Sequence, residues 1–205
     1  MMENTPFRKP AEAHYPIHDL IRERWSPRAY DDRPVERAKL YSIFEAARWA
    51  PSANNRQPWH FIIGTNEHPD DHARLAAILN ERNRRWAERA PVLIVAVAQL
   101  SSRPGKEYTS LFDVGLAVGN LVHQAVDLGL VTHQMGGFDA DLARATLGIP
   151  DGYVPVVAIA LGYPGPATAL PDDLQEREAA PRFRKPLEEF VYQGQWEQVA
   201  EEVTT

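Results

Sequence analysis

Apolar positions along the chain fall into blocks whose spacing separates helix from strand. Tyr15–Arg24 is a short helical candidate stopped by Pro27. Leu40, Ile43, Phe44 and Ala47 recur at three- and four-residue steps behind Pro34, a residue suited to a first helical position. A helix is therefore expected from Pro34 to about Trp49, ended by Pro51. A strand is expected over Trp59–Gly64, and a helix from Asp70-Asp71 to about Arg89 with Arg and Glu outside. Pro91–Gln99 is nearly all Val, Ile, Leu and Ala, the pattern of a strand buried on both faces. Ser110–Leu128 is apolar almost all round, so it belongs in the core or against a partner. Its Gly115 and Gly119, four residues apart, allow another backbone to come close. Gly129 is expected to end that helix. A short strand Val131–Met135, a helix Asp139–Leu147 capped by Gly148 and a last strand Val154–Tyr163 follow.

The flanks differ. Residues 1–14 are polar and read as an arm, 164–186 are rich in proline and charge, and 187–196 form an amphipathic end segment. Phe190, Tyr192 and Trp196 have no following element to bury them, so a second subunit is expected to cover them.

Composition narrows the chemistry. A length of 205 residues with 44% hydrophobic positions suits one domain with a real core. The 22 Lys and Arg against 28 Asp and Glu give a net charge of −6, which argues against a nucleic-acid partner. With no cysteine, thiolate chemistry, disulfides and Cys-held metal clusters are excluded, so any redox work needs a borrowed cofactor. The N-terminus lacks the apolar stretch of a signal peptide, and the longest apolar run falls far short of the ~20 residues of a membrane helix. The expectation is a soluble cytoplasmic protein. Motifs for nucleophilic hydrolysis, phosphate loops, zinc peptidases and Rossmann dinucleotide binding are absent. His68-Pro-Asp-Asp-His72 reads as a solvated helix start rather than a metal site, and no metal is expected.

Three segments carry chemistry. Arg24-Trp25-Ser26-Pro27-Arg28 sets two guanidiniums and a hydroxyl in a stiff turn, suited to phosphate recognition or to a solvated surface pair. Pro51-Ser52-Ala53-Asn54-Asn55-Arg56-Gln57-Pro58-Trp59 packs amides between prolines, matching a heterocycle with carbonyls and ring N–H groups. Arg182-Phe183-Arg184-Lys185-Pro186 is either half of an anion clamp or a charge run balancing nearby acids. Together they match a ligand with a phosphate at one end and a hydrogen-bonding ring at the other, which without a Rossmann fingerprint points to flavin mononucleotide.

With these residues the chain resembles the FMN-dependent nitroreductase family. The carriers are Arg24-x-Ser26-x-Arg28, the P-S-x-x-N-x-Q-P-W string at 51–59, Gly119-Asn120-Leu121, Gly129-Leu130 and Gly136-Gly137-Phe138-Asp139, over about residues 17–196. The resemblance implies an α+β fold: a three-layer α/β/α sandwich with a mainly antiparallel central sheet, in an intertwined homodimer that exchanges C-terminal arms. It implies an arm over 1–14, an FMN-binding domain over 15–186 and a dimerisation arm over 187–205. Arg24, Ser26 and Arg28 would contact FMN, Arg24 towards the phosphate and Arg28 at the flavin N1/O2 edge. Asn55 and Gln57 would lie below the ring, and Pro51, Ser52 and Ala53 would reach the flavin of the other subunit. Asn83 would meet the pyrimidine, Gln134, Met135, Gly136 and Gly137 would pass beside N5 and O4, and Arg182 and Arg184 would close on the phosphate. Where some members carry a second lysine, this chain has Trp86, expected to add an aromatic wall. Ala53 replaces a frequent serine, and the brief stretch from Gln99 to Ser110 leaves room for only a small lid.

The implied activity is ping-pong hydride transfer from NADH or NADPH through flavin N5 to an electron-poor acceptor such as a nitroaromatic or quinone. No side chain is assigned as a catalyst or proton donor. The alternatives are a relative specialised for flavin, enal, semialdehyde or halogenated aromatic reduction, a non-catalytic flavin-binding protein, and a scaffold dimer that binds nothing.

Overall fold

The computed structural model describes residues 8–203. The first part of the expected N-terminal arm, 1–7, and the last two residues of the expected C-terminal arm lie outside the described residues. Eleven elements follow in order: α1 (Asp19–Glu23), α2 (Arg37–Arg48), β1 (Trp59–Thr65), α3 (Pro69–Ala77), α4 (Glu81–Ala87), β2 (Val92–Gln99), α5 (Glu107–Asp127), β3 (Val131–Met135), α6 (Ala140–Leu147), β4 (Tyr153–Gly162) and α7 (Asp172–Ala179).

The four strands form one sheet in the order β1-β2-β4-β3, antiparallel at every pairing. β2 is central, and all of it but Gln99 is buried. Its continuous apolar run has the composition usual for parallel strands, because helices cover both faces of this antiparallel sheet. On one face Leu93, Val95, Val97, Ala158 and Ala160 pack with Leu75, Ala76, Trp86, Ala87 and Ala143 from α3, α4 and α6. On the other, Ile94, Ala96, Ile159 and Leu161 pack with Ile43 and Ala47 of α2 and with Val114, Ala117, Leu121 and Ala125 of α5. Fully burying one such side chain contributes about 1.5–3 kcal/mol, so the two cores account for the three layers.

Beyond shifts of three or four residues at the starts of α1, α2 and α5, two elements differ from the pattern along the sequence. The helix expected from Asp70 to about Arg89 is two helices. The chain turns at Ile78–Asn80, and the Asn80 side chain caps α4 by accepting from Asn83 N at 2.9 Å. Leu79 bridges Phe138, and Asp139 N donates to Ile78 O at 2.9 Å, so contacts with the segment after β3 stabilise the break. The proline- and charge-rich stretch 164–186 contains α7, held by burial of Leu174 and Glu178.

α5 buries one face and leaves Tyr108, Leu111 and Phe112 exposed, Phe112 by 65%. Among the described residues nothing outside the helix's own backbone lies within 4 Å of where a Cβ would stand on Gly115 or Gly119, so the close approach these glycines permit is not made by them. Residues 8–11 wrap onto the body, where Ala11 N donates to Arg22 O at 2.8 Å and Lys9 Nζ to Glu178 O at 2.7 Å. The end segment folds on itself through a Tyr192–Val199 bridge and a Tyr192–Trp196 edge contact, leaving Trp196 78% exposed. Among the described residues no helix is long and apolar enough to cross a membrane.

Candidate functional site

A cavity of about 250 Å³ opens where α4, the end of β3, the 24–28 segment and α7 meet, lined by Arg28, Asn80, Arg82, Asn83, Trp86, Gly137 and Arg177. Gly137 is the narrow point. A Cβ there would stand 2.4 Å from Asn80 Nδ2 and 2.7 Å from Asn83 Nδ2. Its carbonyl accepts from Asn83 Nδ2 at 3.0 Å and from Asn80 N at 3.2 Å, so β3 presents its following backbone directly to the amides of α4.

Beneath the cavity lies a buried aromatic stack. Trp86, 2% exposed, is nearly parallel to Tyr30 at 6.4 Å and tilted against His133 at 4.5 Å. The Arg28 guanidinium lies 5.9 Å from the Trp86 ring centre. His133 Nδ1–H donates to Pro27 O at 2.9 Å, and burial pushes the imidazole down to about 4, so it is neutral at ordinary pH. Tyr30 donates to Ala160 O at 3.2 Å, and burial raises its phenol well above the usual range. The segment Pro27–Tyr30, ahead of α2, is thus pinned to the sheet by two rings that both contact Trp86.

A buried carboxylate completes this support. Glu178, only 2% exposed, accepts from Arg28 N at 2.7 Å and Ala29 N at 3.2 Å, and its second oxygen pairs with Arg28 Nη1 at 3.4 Å. Burial holds the Arg28 guanidinium below its usual range, opposed by Glu178 and assisted by Arg177.

A second cationic group lies at Arg24. Its Nη1 donates to Ser26 Oγ at 3.1 Å. Burial, Arg182 and Arg184 all lower its pKa, in that order. Arg182 is lowered by burial and by Arg184 and offset by Glu23, and it is fixed by donating to Lys9 O at 2.8 Å and Arg22 O at 2.9 Å. Arg24 and Arg182 are thus half-buried and Arg184 is exposed, and their like charges work against one another.

The amide-rich loop lies elsewhere. It joins α2 to β1, on the layer opposite the cavity, and is tied to α5. Ala53 N donates to the buried Asp113 Oδ2 at 3.1 Å, and Arg56 Nη2 to Thr109 Oγ1 at 3.0 Å and Ser110 Oγ at 3.2 Å. Ser52 Oγ accepts from Gln57 N at 3.0 Å, and Gln57 Nε2 donates to Asn55 Oδ1 at 3.2 Å. Asn54, Asn55 and Gln57 all take left-handed backbone, which asparagine tolerates better than most residues and which costs Gln57 roughly 1–2 kcal/mol. Such strain persists only where surrounding contacts impose it.

The expected residues therefore separate into three groups. Arg28, Asn83 and Gly137 share the cavity, with Gly136 exposed beside it and Gln134 turned to Thr132 Oγ1 at 2.8 Å. Met135 is buried in the core and offers only its backbone. Arg24, Ser26, Arg182 and Arg184 form the cation group. Pro51, Ser52, Ala53, Asn55 and Gln57 stay on the far layer. Trp86 is the floor of the cavity rather than an open wall. Glu178, His133, Asn80, Arg82, Arg177 and Asp113 carry no motif, and for Glu178 the only sequence sign is a carboxylate in a region that the pattern leaves without structure.

Comparisons with known proteins identify the family. The profile of the Nitroreductase family matches residues 21–163. A solved structure described as an oxidoreductase containing FMN is 36% identical with a TM-score of 0.84, covering 91% of this chain and 96% of that one. A nitroreductase family protein from Clostridium difficile 630 is 26% identical with a TM-score of 0.69, over 86% of this chain and 97% of that one. A putative NADH dehydrogenase/NAD(P)H nitroreductase from Archaeoglobus fulgidus is 30% identical over 71% of this chain and 83% of its own. The chain belongs to the nitroreductase family and is an oxidoreductase.

Proposed function

We propose that this chain binds FMN and reduces an electron-poor acceptor, such as a nitroaromatic or quinone, at the expense of NADH or NADPH. The observation that carries the reading is the cation group at Arg24, whose Nη1 donates to Ser26 Oγ at 3.1 Å while Arg182 is anchored on the Arg22 carbonyl at 2.9 Å, so that like charges meet there. An anion placed there relieves that repulsion, which is the fit a flavin phosphate needs. Arg24, Ser26, Arg182 and Arg184 would hold the phosphate. Arg28, Asn83 and the backbone of Gln134–Gly137 would meet the ring at the cavity, where amides and a guanidinium match carbonyl and ring nitrogen atoms. When bound, FMN accepts hydride from NAD(P)H and delivers two electrons to the acceptor. The chain's own part is to bind and orient. Gly137 admits a close approach, Trp86 and His133 fix the floor, and Glu178 sets Arg28 while offsetting part of its charge.

The working unit of this reading is a homodimer. The cavity, at about 250 Å³, is smaller than the about 300–1,000 Å³ of complete ligand pockets. The loop holding Pro51, Ser52, Ala53, Asn55 and Gln57 contains left-handed backbone, is tied to α5 through Asp113 and contributes no residue to the cavity lining. A second copy, packed on exposed Phe112 and along Gly115 and Gly119, would bring that loop to the first copy's cavity. The domain then spans 15–186, with 187–205 as the arm reaching the partner.

The test is the visible spectrum of the purified protein. Flavin bands, one FMN released per chain on denaturation, and loss of that FMN in Arg24→Ala are the expected results. A colourless protein that takes up no FMN on titration overturns the reading.

A further inference from the structure

Positive charge at the cavity exceeds what the residues above require. Two of the four arginines of α4 and α7 meet a carboxylate: Arg84 pairs with Glu81 at 3.0 Å and Arg85 with Asp173 at 2.6 Å. Arg28 has Glu178. Arg82 and Arg177 do not follow this pattern. Both are exposed and line the cavity, and among the described residues neither has a carboxylate within ion-pair distance. In a chain of net charge −6, two unmatched guanidiniums at the mouth of one small cavity are an uneven placement of charge. The phosphate of FMN has its own three arginines, so this pair remains over.

We propose that Arg82 and Arg177 form an anion-recognising rim that selects a co-substrate bearing a phosphate or carboxylate. Guanidinium is the side chain whose fork of donors matches either group bidentately. The interior behind the rim is made of the Asn80 and Asn83 amides and a nearly covered Trp86, so charge rather than apolar area discriminates there. Two small molecules of the reaction can carry the anion: NADPH, through its 2′-phosphate, or an acceptor bearing a carboxylate. This inference rests on the function proposed above.

The experiment compares the native protein with the double variant Arg82→Gln/Arg177→Gln, after a thermal melt confirms that both fold alike. Specificity constants are measured for NADPH against NADH, and for 4-nitrobenzoate against nitrobenzene. One of the two anionic-to-neutral ratios is expected to fall about tenfold or more in the variant, as for loss of hydrogen bonds to a charged group. The ratio that falls names the source of the anion. If both ratios stay constant, the proposal is overturned. A weaker grip on FMN with both ratios constant also overturns it, because the pair would then serve the cofactor. If the native protein takes up no FMN, the functional reading fails separately, and calorimetry with NADP⁺ against NAD⁺ and with 4-nitrobenzoate against nitrobenzene decides. Tighter binding of either anion in the native protein, abolished in the variant, upholds the rim, and equal binding in the native protein overturns it.

Discussion

The cavity and the amide-rich loop are both polar, yet they are built in opposite ways. The cavity is assembled from segments far apart in the chain, including Arg28, Asn83, Gly137 and Arg177. It is stiff because buried polar groups beneath it are paired, Glu178 with Arg28 and Ala29, and His133 with Pro27. The loop is a single stretch that organises itself through Ser52, Gln57 and Asn55, and it needs α5 chiefly for anchorage. Its cost is paid in left-handed backbone at three side-chain-bearing residues rather than in buried charge. A site built on buried pairs should fail cooperatively when one partner is lost. A strained loop should lose function locally while the domain stays folded.

Glu178→Ala is the sharpest way to break this contrast. It strands Arg28 and two backbone N–H groups in a covered place, and breaking a buried pair costs roughly 3–5 kcal/mol. The midpoint in urea should drop accordingly, with both Arg28 and α7 released. A loss below 1 kcal/mol, read from the same denaturation curve, would show that the pair does not hold the region.

His133 sharpens the comparison through pH. Its imidazole titrates near 4 in the fold against 6.5 when free, so the unfolded chain binds the proton more readily between those values. The neutral ring's contribution is therefore present in full above pH about 6.5 and is lost as pH falls towards 4, an amount on the order of 3 kcal/mol. His133→Phe should flatten this part of the stability profile. A wild-type curve that is already flat from pH 6.5 to 4 would remove His133 from the buried support.

The smallest effect is expected on the other side. Asp113→Ala removes the acceptor of Ala53 N, at about 1–3 kcal/mol. Hydrogen exchange should quicken at 52–57 while the strands stay protected. Uniform loss of protection across the sheet would mean that the loop is not a separate local unit.

Much of the frame was legible along the chain. The Val131–Met135 strand lies where the pattern puts it, and Asp139 and Gly148 cap α6 as expected, by a side-chain acceptor and a left-handed glycine. The break between α3 and α4 was not legible. Asn80 lies among good helix formers, and its cap gains from contacts with Phe138 and Asp139 more than fifty positions away. α7 was missed for another reason: Asp172–Ala179 holds good helix formers, but the prolines and charges around it mask a short helix that burial of Leu174 and Glu178 against the body stabilises. The same limit applies to Trp86, where periodicity cannot distinguish a ring facing a ligand from one packed against Tyr30 and His133.

The sequence by itself determined the strands, the two-sided burial of β2, the missing thiol chemistry and the motifs that mark the family, because these depend on residue type and local spacing. Tertiary structure alone decided which cations meet. It placed Arg24 with Arg182 and Arg184, matched Arg28 to Glu178, and left Arg82 and Arg177 at an open rim. The physical reason is that charge interactions depend on distance through space and on burial, and neither is written in the separation of residues along a chain.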